Sequence, residues 1–286
     1  MPVVTGTNST TPTTSTPGAG GASSLKNARF SGDATLEKVA KGEAKLAKGA
    51  KGESVTRLQR SLLDMGFALR PYTSATSGKQ VGGVDGDFGN QTFNALVNFQ
   101  KHASHFYPDV KPTGSLDAAT LRALDKMAPT LGGKASPDAK IPTPFYKGTQ
   151  VRVVVCKDEH RTYLFDKAGK LTSVFSNSVG AKASQTDSGL KAVTTKMGKA
   201  AAEAAGVSLW GSPKTFGDRI LDLSWADGSR SGEELHGTYA YDQMGQDVSH
   251  GCVRHYNEDI IAMFDALAVG DKVAIVDSIA DARLKK

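Results

Sequence analysis

The sequence has little cysteine and no long apolar stretch. Cys156 and Cys252 are the two cysteines among 286 residues, which excludes the dense disulfide framework that stabilises many small secreted domains. No run approaches the roughly 20 apolar residues that a membrane-spanning helix needs, so we expect no membrane span. The first residues also lack the basic segment and the apolar core of a signal peptide.

An excess of acidic residues is absent too. The formal net charge is +6, with 35 Lys and Arg against 29 Asp and Glu. A basic surface attracts anionic partners, which include nucleic acid, acidic membranes and bacterial wall polymers. The basic residues are scattered through lysine-rich segments and are not interleaved with aromatic residues that would stack on bases, so we do not expect nucleic-acid binding.

Composition divides the N-terminal region into two segments. Residues 1–35 are rich in Ser, Thr, Pro and Gly, a composition that buries little apolar surface, and are predicted to be a disordered tail. Residues 36–52 repeat Leu, Ala, Lys and Gly and are predicted to be a basic linker or a short helix, with a solvated tether favoured. Residues 279–286 are predicted to form a C-terminal tail.

Residues 53–128 show helical periodicity. Their pattern predicts three short helices in a small bundle. The first has apolar residues at helical spacing, the second starts after a turn with Asn90 as its cap, and the third starts near Asp117. The apolar positions that define these helices are Val55, Leu58, Leu62, Met65, Phe93, Leu96, Val97, Phe99, Leu121 and Leu124.

Three segments of this bundle, GESVTRLQRSLLDMGF, VDGDFGNQTFNALVNFQ and GSLDAATLRAL, resemble the successive motifs of the peptidoglycan-binding helical domain. The resemblance implies a three-helix module that binds the glycan or the stem peptide of the bacterial wall. Asp85, Asp87 and Asn90 could suggest calcium, but the later bidentate Glu of an EF-hand loop is missing. We therefore interpret them as turn and capping residues.

A Pro- and Gly-containing segment, residues 129–148, is predicted to be a linker. Short β-rich runs separated by turns then fill residues 149–278, with helices predicted around 194–206 and 256–267. Cys156 ends the apolar run Val153–Val155 and is predicted to be an inert, buried strand residue. The predicted fold class is α+β with two domains: a small three-helix bundle, then a mainly β domain with one or two helices.

One stretch carries a candidate chemistry. Cys252 lies between Gly251 and Val253, with His250 and His236 before it in the sequence. An ordinary thiol is mostly protonated at neutral pH, so a nearby imidazole could accept its proton and later return it to a leaving amine. Backbone amides around Gly251 and Cys252 could stabilise an oxyanion, and Arg254 could bind a substrate carboxylate.

Two other interpretations of these residues stay open at this point. Cys252, His236 and His250 could be zinc ligands, although a second nearby cysteine and a known zinc spacing are missing. The two histidines could also be ordinary turn and strand-end residues. The glycine-rich and polar character of the loop favours a chemical role.

The stretch LHGTYAYDQMGQDVSHGCVR resembles the signature of the L,D-transpeptidase (YkuD-like) family. The resemblance implies a mainly β, YkuD-like sandwich over residues 149–278. It implies that Cys252 is the nucleophile, that His236 is the general base and acid, and that the Gly237 carbonyl orients the imidazole. It further assigns His250 and Gly251 to the oxyanion side, Ser249 to bracing the loop and Arg254 to substrate binding.

The implied reaction uses peptidoglycan stem peptides and glycan as partners, and requires no metal or organic cofactor. The thiolate attacks the bond before the terminal D-Ala of a tetrapeptide stem, and a second stem's amine completes a 3–3 cross-link. Water in place of the amine gives carboxypeptidase activity, and D-Ala exchange is a further outcome. The alternatives are another cysteine peptidoglycan hydrolase, such as an endopeptidase or amidase, and a catalytically silent wall-binding protein.

Three features depart from the family pattern or lie outside it. The region SGLKAVTTKMG replaces a Thr-Pro-x-Gly-x-Phe element, residues 200–212 are predicted to be an inserted lid, and His255 is predicted to be an exposed bystander. The expected site of action is the periplasm or cell wall. Without a visible signal peptide, we expect either an additional leader or delivery by a contractile secretion apparatus as an antibacterial effector, which would have an immunity protein.

Overall fold

The computed structural model describes residues 24–74, 76–131, 136 and 138–286. Within these residues, four helices lie in the N-terminal region and two in the C-terminal region, in agreement with the predicted fold class. The helices are α1 (Ala34–Ala40), α2 (Glu53–Asp64), α3 (Asn90–Ser104), α4 (Ala118–Met127), α5 (Lys199–Trp210) and α6 (Asn257–Ala266), with a 3-10 turn at Tyr241–Gln243.

The three predicted helices, α2, α3 and α4, pack around one apolar core. Their inward faces carry Leu62, Phe99 and Leu121, which are fully buried. Asp117 caps α4 by accepting a hydrogen bond from the Thr120 amide. The prediction that Asn90 caps α3 is wrong: the cap residue is Gly89, which has no capping side chain, and Asn90 is already the first helical residue.

Two buried glutamines connect the helices of this bundle to the loops that follow them. Gln59 of α2 accepts from the Gly86 amide and donates to Asp85 and Thr92. Gln100 of α3 repeats the arrangement with the Gly114 amide, the Ser115 carbonyl and Thr120. Each side chain uses both its acceptor and its donor ends, so it is buried without leaving a polar atom unpaired.

The described part of the predicted disordered tail is ordered, which corrects the prediction for residues 24–35. Residues 1–23 lie outside the described residues. Leu25 and Phe30 are buried in the bundle core, α1 begins after the Asp33 cap, and Leu36 of this helix is fully buried. A few well-spaced apolar residues therefore anchor a segment whose overall composition is that of a solvated chain.

The favoured tether interpretation of residues 36–52 is wrong for the same reason, while the short-helix alternative holds for its first residues. After α1, Leu46 forms a β-bridge with Leu116 and Lys51 with Asp87. The N-terminal region is consequently a bundle with four helices, one more than the sequence predicted.

The C-terminal region is mainly β. The strands along the described chain are β1 (Tyr72–Thr73), β2 (Gln80–Val81), β3 (Phe145–Tyr146), β4 (Thr149–Gln150), β5 (Val153–Cys156), β6 (Arg161–Phe165), β7 (Leu171–Ser176), β8 (Val179–Gly180), β9 (Gly189–Met197), β10 (Ile220–Trp225), β11 (Arg230–Thr238), β12 (Asp247–Ser249), β13 (Val253–Tyr256) and β14 (Lys272–Val276). The central sheet of the C-terminal region has eight of them, in the order β13-β11-β10-β9-β14-β5-β6-β7.

Both faces of this sheet are covered, which explains why β5 is apolar at every position. Val153 and Val155 face one core, together with Ile260 of α6, whereas Val154 and Cys156 face a second core. Cys156 is fully buried, as the sequence predicted, and burial raises its pKa well above the usual range. No helix in the described part of the chain is long and apolar enough to cross a membrane.

The two regions touch each other directly. Arg70, which follows α2, forms ion pairs with Glu258 and Asp259 at the start of α6 and stacks over Tyr256. In the other direction, Arg161 Nη2 donates to the Met65 carbonyl over 2.6 Å. The domains therefore contact each other through buried and half-buried polar groups.

The prediction of a linker is wrong for the end of residues 129–148, because Phe145–Tyr146 form β3 and Tyr146 is buried in a core of the second domain. The prediction of a C-terminal tail at residues 279–286 is also wrong, because Ile279 is buried in the same core.

Candidate active site

Two parallel strands bring the candidate catalytic side chains together. β11 and β13 pair so that His236 lies opposite Arg254. Because side chains alternate along a strand, Glu234 and His236 point to the same face of β11. Cys252 directly precedes β13 and lies beside Glu234, with 3.5 Å between its Sγ and Glu234 Oε2.

A cavity of about 490 Å³ opens over this part of the sheet. Five of the predicted site residues line it: His236, Ser249, His250, Cys252 and Arg254. The other two, Gly237 and Gly251, contribute backbone groups, as described below. The side chains of Cys252 and His236, which are sixteen residues apart in the sequence (252 − 236), therefore face one common space.

Cys252 is half-buried and its thiol is protonated at rest. Burial raises its pKa to about 12, and the neighbouring carboxylate of Glu234 adds to the rise, although a hydrogen bond to the Glu234 backbone lowers it. The thiol donates its hydrogen bond to Glu234. Since the thiolate is the nucleophilic form, a base has to remove this proton during any reaction at Cys252.

His236 has the properties of such a base. Its Nδ1 lies 2.6 Å from the carbonyl oxygen of Gly237, which can only accept, so Nδ1 carries the hydrogen and Nε2 has a free lone pair. Burial lowers the pKa of His236 to about 4, with a further decrease from Arg254. The imidazole is therefore neutral at neutral pH.

The ring of His236 is held from a second side by Phe216, which packs edge-on with centroids 5.0 Å apart. Among the residues that the structure describes, no hydrogen bond joins His236 to Cys252, whose thiol is bonded to Glu234 instead. The two side chains line the same cavity without a hydrogen bond between them, so proton transfer between them requires a side-chain rotation or a bridging group.

A short hydrogen-bonded loop supports Cys252. Ser249 Oγ donates to the Cys252 carbonyl over 2.6 Å and accepts from the Gly251 amide over 3.2 Å. Thr186 Oγ1 donates to the Gly251 carbonyl over 2.6 Å. Gly251 has φ of +119°, a backbone conformation that favours glycine.

The Gly251 amide was predicted to face an oxyanion, but in this structure it is bonded to Ser249 Oγ. It would reach an oxyanion only if Ser249 released it. Ser249 itself lies where the sequence predicted a bracing residue, because its hydroxyl joins the two backbone groups on either side of the loop.

The mouth of the cavity is formed by the end of α5. Leu209 and Trp210 line the cavity, and the Trp210 ring lies 5.2 Å from the exposed imidazole of His250. Trp210 is 54% exposed, an unusual position for a large apolar ring. The predicted insertion, residues 200–212, therefore borders the cavity, and its role as a lid stays a prediction.

Arg254 supplies the positive charge of the site. Its Nη1 donates to Gln243 Oε1 over 2.9 Å, which orients the guanidinium. Burial lowers the pKa of Arg254, and the nearby Cys252 raises it. An arginine held in this way can form charge-assisted hydrogen bonds to a carboxylate in the cavity. Among the described residues, no group of three or more His, Cys, Asp or Glu side chains could hold a metal ion.

Comparison with protein families gives matches to both parts of the chain. Residues 150–275 match the family model of the L,D-transpeptidase catalytic domain, and residues 51–124 match that of a peptidoglycan-binding domain. The chain carries an L,D-transpeptidase catalytic domain. The peptidoglycan-binding domain precedes it, in the order that the sequence motifs predicted.

Individual relatives match shorter parts of the chain. A Bacillus licheniformis protein named "Probable N-acetylmuramoyl-L-alanine amidase" is 30% identical over 125 residues, which are 42% of this chain and 31% of that protein. The Escherichia coli "Probable L,D-transpeptidase YbiS" is 49% identical over 43 residues, which are 15% of this chain and 14% of that protein. The chain therefore spans less than a third of these curated relatives.

Solved structures of L,D-transpeptidases are similar to this chain at low identity. That of Xylanimonas cellulosilytica (residues 123–326 of its protein) is 24% identical, with a TM-score of 0.46, and the match covers 80% of this chain and 96% of that chain. An L,D-transpeptidase from Mycobacterium tuberculosis is 20% identical, with a TM-score of 0.35, and covers 43% of this chain and 56% of that chain.

The transpeptidase domain contains site residues that the sequence analysis missed. Glu234, the hydrogen-bond partner of Cys252, lies two positions before His236, so strand alternation could have indicated that it shares the face. A Cβ at Gly237 would lie 2.2 Å from Asn257 Oδ1, which explains the glycine at this position. No local pattern signals this close approach, because Asn257 belongs to a different element.

The prediction for His255 is wrong. The imidazole is fully buried, not exposed, and its Nε2 lies 2.9 Å from Thr162 Oγ1. Since it follows Arg254 on β13, it faces away from the cavity of the transpeptidase domain. Burial lowers its pKa to about 3, so it serves as a neutral packing residue between strands.

Proposed function

We propose that this protein is a cysteine-dependent L,D-transpeptidase that acts on the tetrapeptide stems of peptidoglycan. One observation carries the proposal: Cys252, the neutral His236 and the cationic Arg254 line a single open cavity. The match of residues 150–275 to the L,D-transpeptidase catalytic domain supports the same reaction class. The proposed site of action is the periplasm or the cell wall, where this substrate occurs.

The first half of the reaction forms an acyl-enzyme. His236 Nε2 takes the Cys252 proton, and the thiolate attacks the carbonyl between the L-centre of a diamino acid and the terminal D-Ala. His236 then gives the proton to the leaving nitrogen of D-Ala, and the acyl group remains on Sγ. The low pKa of His236, about 4, favours this return because the protonated ring is a strong acid.

Arg254 positions the donor stem in this scheme. The terminal D-Ala carries a free carboxylate, and Arg254 is the charged cation among the predicted site residues that line the cavity. A charge-assisted hydrogen bond would hold that carboxylate and place the scissile carbonyl near Sγ. An amine of a second stem then completes a 3–3 cross-link, whereas water yields a tripeptide stem.

The peptidoglycan-binding domain supplies the second part of the proposal. It contacts the transpeptidase domain directly, because Arg70 forms ion pairs with Glu258 and Asp259 of α6. We infer that this domain holds the wall polymer while the transpeptidase domain works on nearby stems. Tethering of this kind raises the effective concentration of substrate at the cavity.

The decisive experiment is mass spectrometry of purified disaccharide tetrapeptides incubated with the full chain. The wild type should remove or exchange the terminal D-Ala and form cross-linked dimers, and Cys252→Ala should do neither. Cys156→Ala is the matched control, because it removes the other thiol from the buried core and leaves the cavity intact. A carbapenem should add to the wild type and to Cys156→Ala, and not to Cys252→Ala.

Three outcomes would contradict the proposal. Full activity of Cys252→Ala would exclude a cysteine nucleophile. Cleavage of the lactyl-amide bond, the activity that the name of the Bacillus licheniformis relative describes, would make the protein an amidase. Binding to sacculi without any change in stem mass would favour a silent wall-binding protein.

Delivery as an antibacterial effector stays a prediction, which toxicity after targeting to a heterologous periplasm would test.

A further inference from the structure

Glu234 is a carboxylate that the donor half of the proposed reaction does not use. It lines the same cavity as Cys252 and Arg254, and its Oε2 lies 3.5 Å from the nucleophilic sulfur. A negative charge at this position hinders thiolate formation, because it adds to the rise of the Cys252 pKa. Its presence therefore calls for a function that outweighs this cost.

The comparison with its neighbour shows that Glu234 lacks an ion-pair partner. Glu233 points to the opposite face of β11 and forms a buried ion pair with Lys191 at 2.5 Å. No Lys, Arg or His in the described part of the chain forms an ion pair with Glu234, whose side chain accepts a hydrogen bond from the Cys252 thiol. Burial raises the pKa of Glu234, and the more distant Arg230 lowers it. A half-buried carboxylate without a cation in contact favours a ligand that brings one.

The cavity that Cys252 lines thus presents one anion, Glu234, and one cation, Arg254. An amino-acid head group carries the complementary pair, an ammonium next to a carboxylate. The leaving D-Ala becomes such a head group when its amide bond is cleaved, and its departure frees the space for another. A bipolar subsite therefore suits both the group that leaves and an amine that replaces it.

We propose that Glu234 and Arg254 form an acceptor subsite, in which Glu234 binds the ammonium and Arg254 the carboxylate of an incoming amino-acid head group. This inference rests on the proposed function, because it assumes an acyl group on Cys252. It names the acceptor class as a zwitterionic α-amino acid, such as a free D-amino acid or the D-centre of a diamino-acid side chain.

The proton balance of the transfer step fits these roles. An ammonium acceptor has to lose two protons before the new amide is complete. Glu234 takes the first and passes it to solvent, to which it is half-exposed. As the C–N bond forms, His236 takes the second proton and returns it to Sγ when the C–S bond breaks, which restores the thiol.

The test measures how one acyl-enzyme divides between amine and water. The full chain is incubated with disaccharide tetrapeptide and subsaturating D-methionine, and the ratio of exchanged tetrapeptide to tripeptide is read by mass spectrometry. Glu234→Gln should lower this ratio about tenfold, the loss expected for one charge-assisted contact of roughly 1.4 kcal/mol. Glu234→Asp, which keeps the charge, should recover part of it.

Asp265→Asn is the matched control. Asp265 is an exposed carboxylate on α6 of the same domain and is not among the residues that line the cavity, so the ratio should stay at the wild-type value. If Glu234→Gln does not fold, the wild type still provides a test: added NaCl should lower its ratio for D-methionine, because salt screens the proposed ion pairs.

The outcomes separate this inference from the proposed function. If neither tetrapeptide nor a carbapenem acylates the wild type, the proposed function itself fails. If acylation occurs and the folded Glu234→Gln divides its acyl-enzyme as the wild type does, the acceptor subsite is overturned and the function stands. In the absence of a folded variant, a wild-type ratio that is insensitive to NaCl also overturns it.

Discussion

Buried polar side chains have different roles in the two domains. In the peptidoglycan-binding domain, the side chains of Gln59 and Gln100 each accept a hydrogen bond from a loop amide and donate one to a threonine near the start of the next helix. Both amide ends are used, and both glutamines hold the same helix–loop–helix arrangement. These side chains act as parts of the scaffold, much as backbone hydrogen bonds do.

In the transpeptidase domain, buried polar groups are left partly unsatisfied. Glu159 Oε2 and Arg254 Nε have no hydrogen-bond partner among the described residues. His236 is held at Nδ1, and its Nε2 is left free in a cavity. Unsatisfied buried groups cost stability. Among the described residues, nine of the eleven such side-chain atoms lie in this domain, and the other two, Ser61 Oγ and His102 Nδ1, lie in the first.

The difference indicates where each domain is sensitive to substitution. Loss of a satisfied polar group in the first domain should reduce folding stability and leave the chemistry intact. Loss of a free group that lines the cavity of the second should change catalysis at little cost in stability, and loss of the unpaired carboxylate at the domain boundary should change the pH dependence of stability. Each of the following substitutions tests one side of this comparison.

The largest effect is expected for His236→Asn. Asparagine can keep a contact to the Gly237 carbonyl but cannot take the Cys252 proton, so D-Ala release should fall about 10²- to 10⁴-fold. The rate is measured on disaccharide tetrapeptide under single-turnover conditions, together with the thermal unfolding midpoint, which should change little.

His255→Asn is the matched control for this experiment. His255 is also a buried neutral imidazole, but it faces away from the cavity and contacts Thr162. Its substitution should lower the unfolding midpoint more than the rate. If the two histidine variants lose activity equally, the slower reaction of His236→Asn results from disturbed packing and not from the loss of a base. The two domains would then not differ in the roles of their buried polar groups.

Gln100→Ala should have the next largest effect, which is on folding stability and not on the reaction rate. The substitution leaves the Gly114 amide and Thr120 without their buried partner, which should cost about 1–3 kcal/mol of unfolding free energy. Acylation of Cys252 by a carbapenem should stay at the wild-type rate, because the substitution lies in the other domain.

The positions of the two tryptophans allow the unfolding of each domain to be followed separately. Trp210 and Trp225 both belong to the transpeptidase domain, so their fluorescence follows its unfolding, whereas helical circular dichroism follows mainly the bundle. Under urea, Gln100→Ala should shift the dichroism transition, and the exposed Gln80→Ala should not. A slower acylation by Gln100→Ala would show that the domains are not separable in function.

The same contrast explains what could be predicted from the sequence. Helices with strong periodicity and the Cys252 and His236 pair were found, because periodicity and short motifs are local features. The contact of Glu234 with Cys252 was missed, because it depends on the register of β11 against β13. The order of residues 24–52 was missed as well, because Leu25 and Phe30 acquire a core only from helices far along the chain.

The smallest effect is expected for Glu159→Gln, at the boundary between the domains. Glu159 is fully buried, accepts from the Ile279 amide, and faces His105 at 3.7 Å and His102 at 4.0 Å. Burial raises the pKa of Glu159 to about 7 from an ordinary value of 4.5. Its contribution to stability is therefore complete below pH 4.5 and is lost as the pH rises through 7.

Glu159→Gln removes this titration, so the unfolding free energy of the variant minus that of the wild type should be larger at about pH 8 than at about pH 5. The buried His102, whose pKa is lowered by burial, acts in the opposite direction, and it is present in both proteins. Glu43→Gln, at an exposed carboxylate, is the control and should give a smaller change with pH. If the difference in unfolding free energy between Glu159→Gln and the wild type is constant or falls as the pH rises, Glu159 is ionised in the folded protein. His102 of α3 and His105, which follows α3, would then balance its charge.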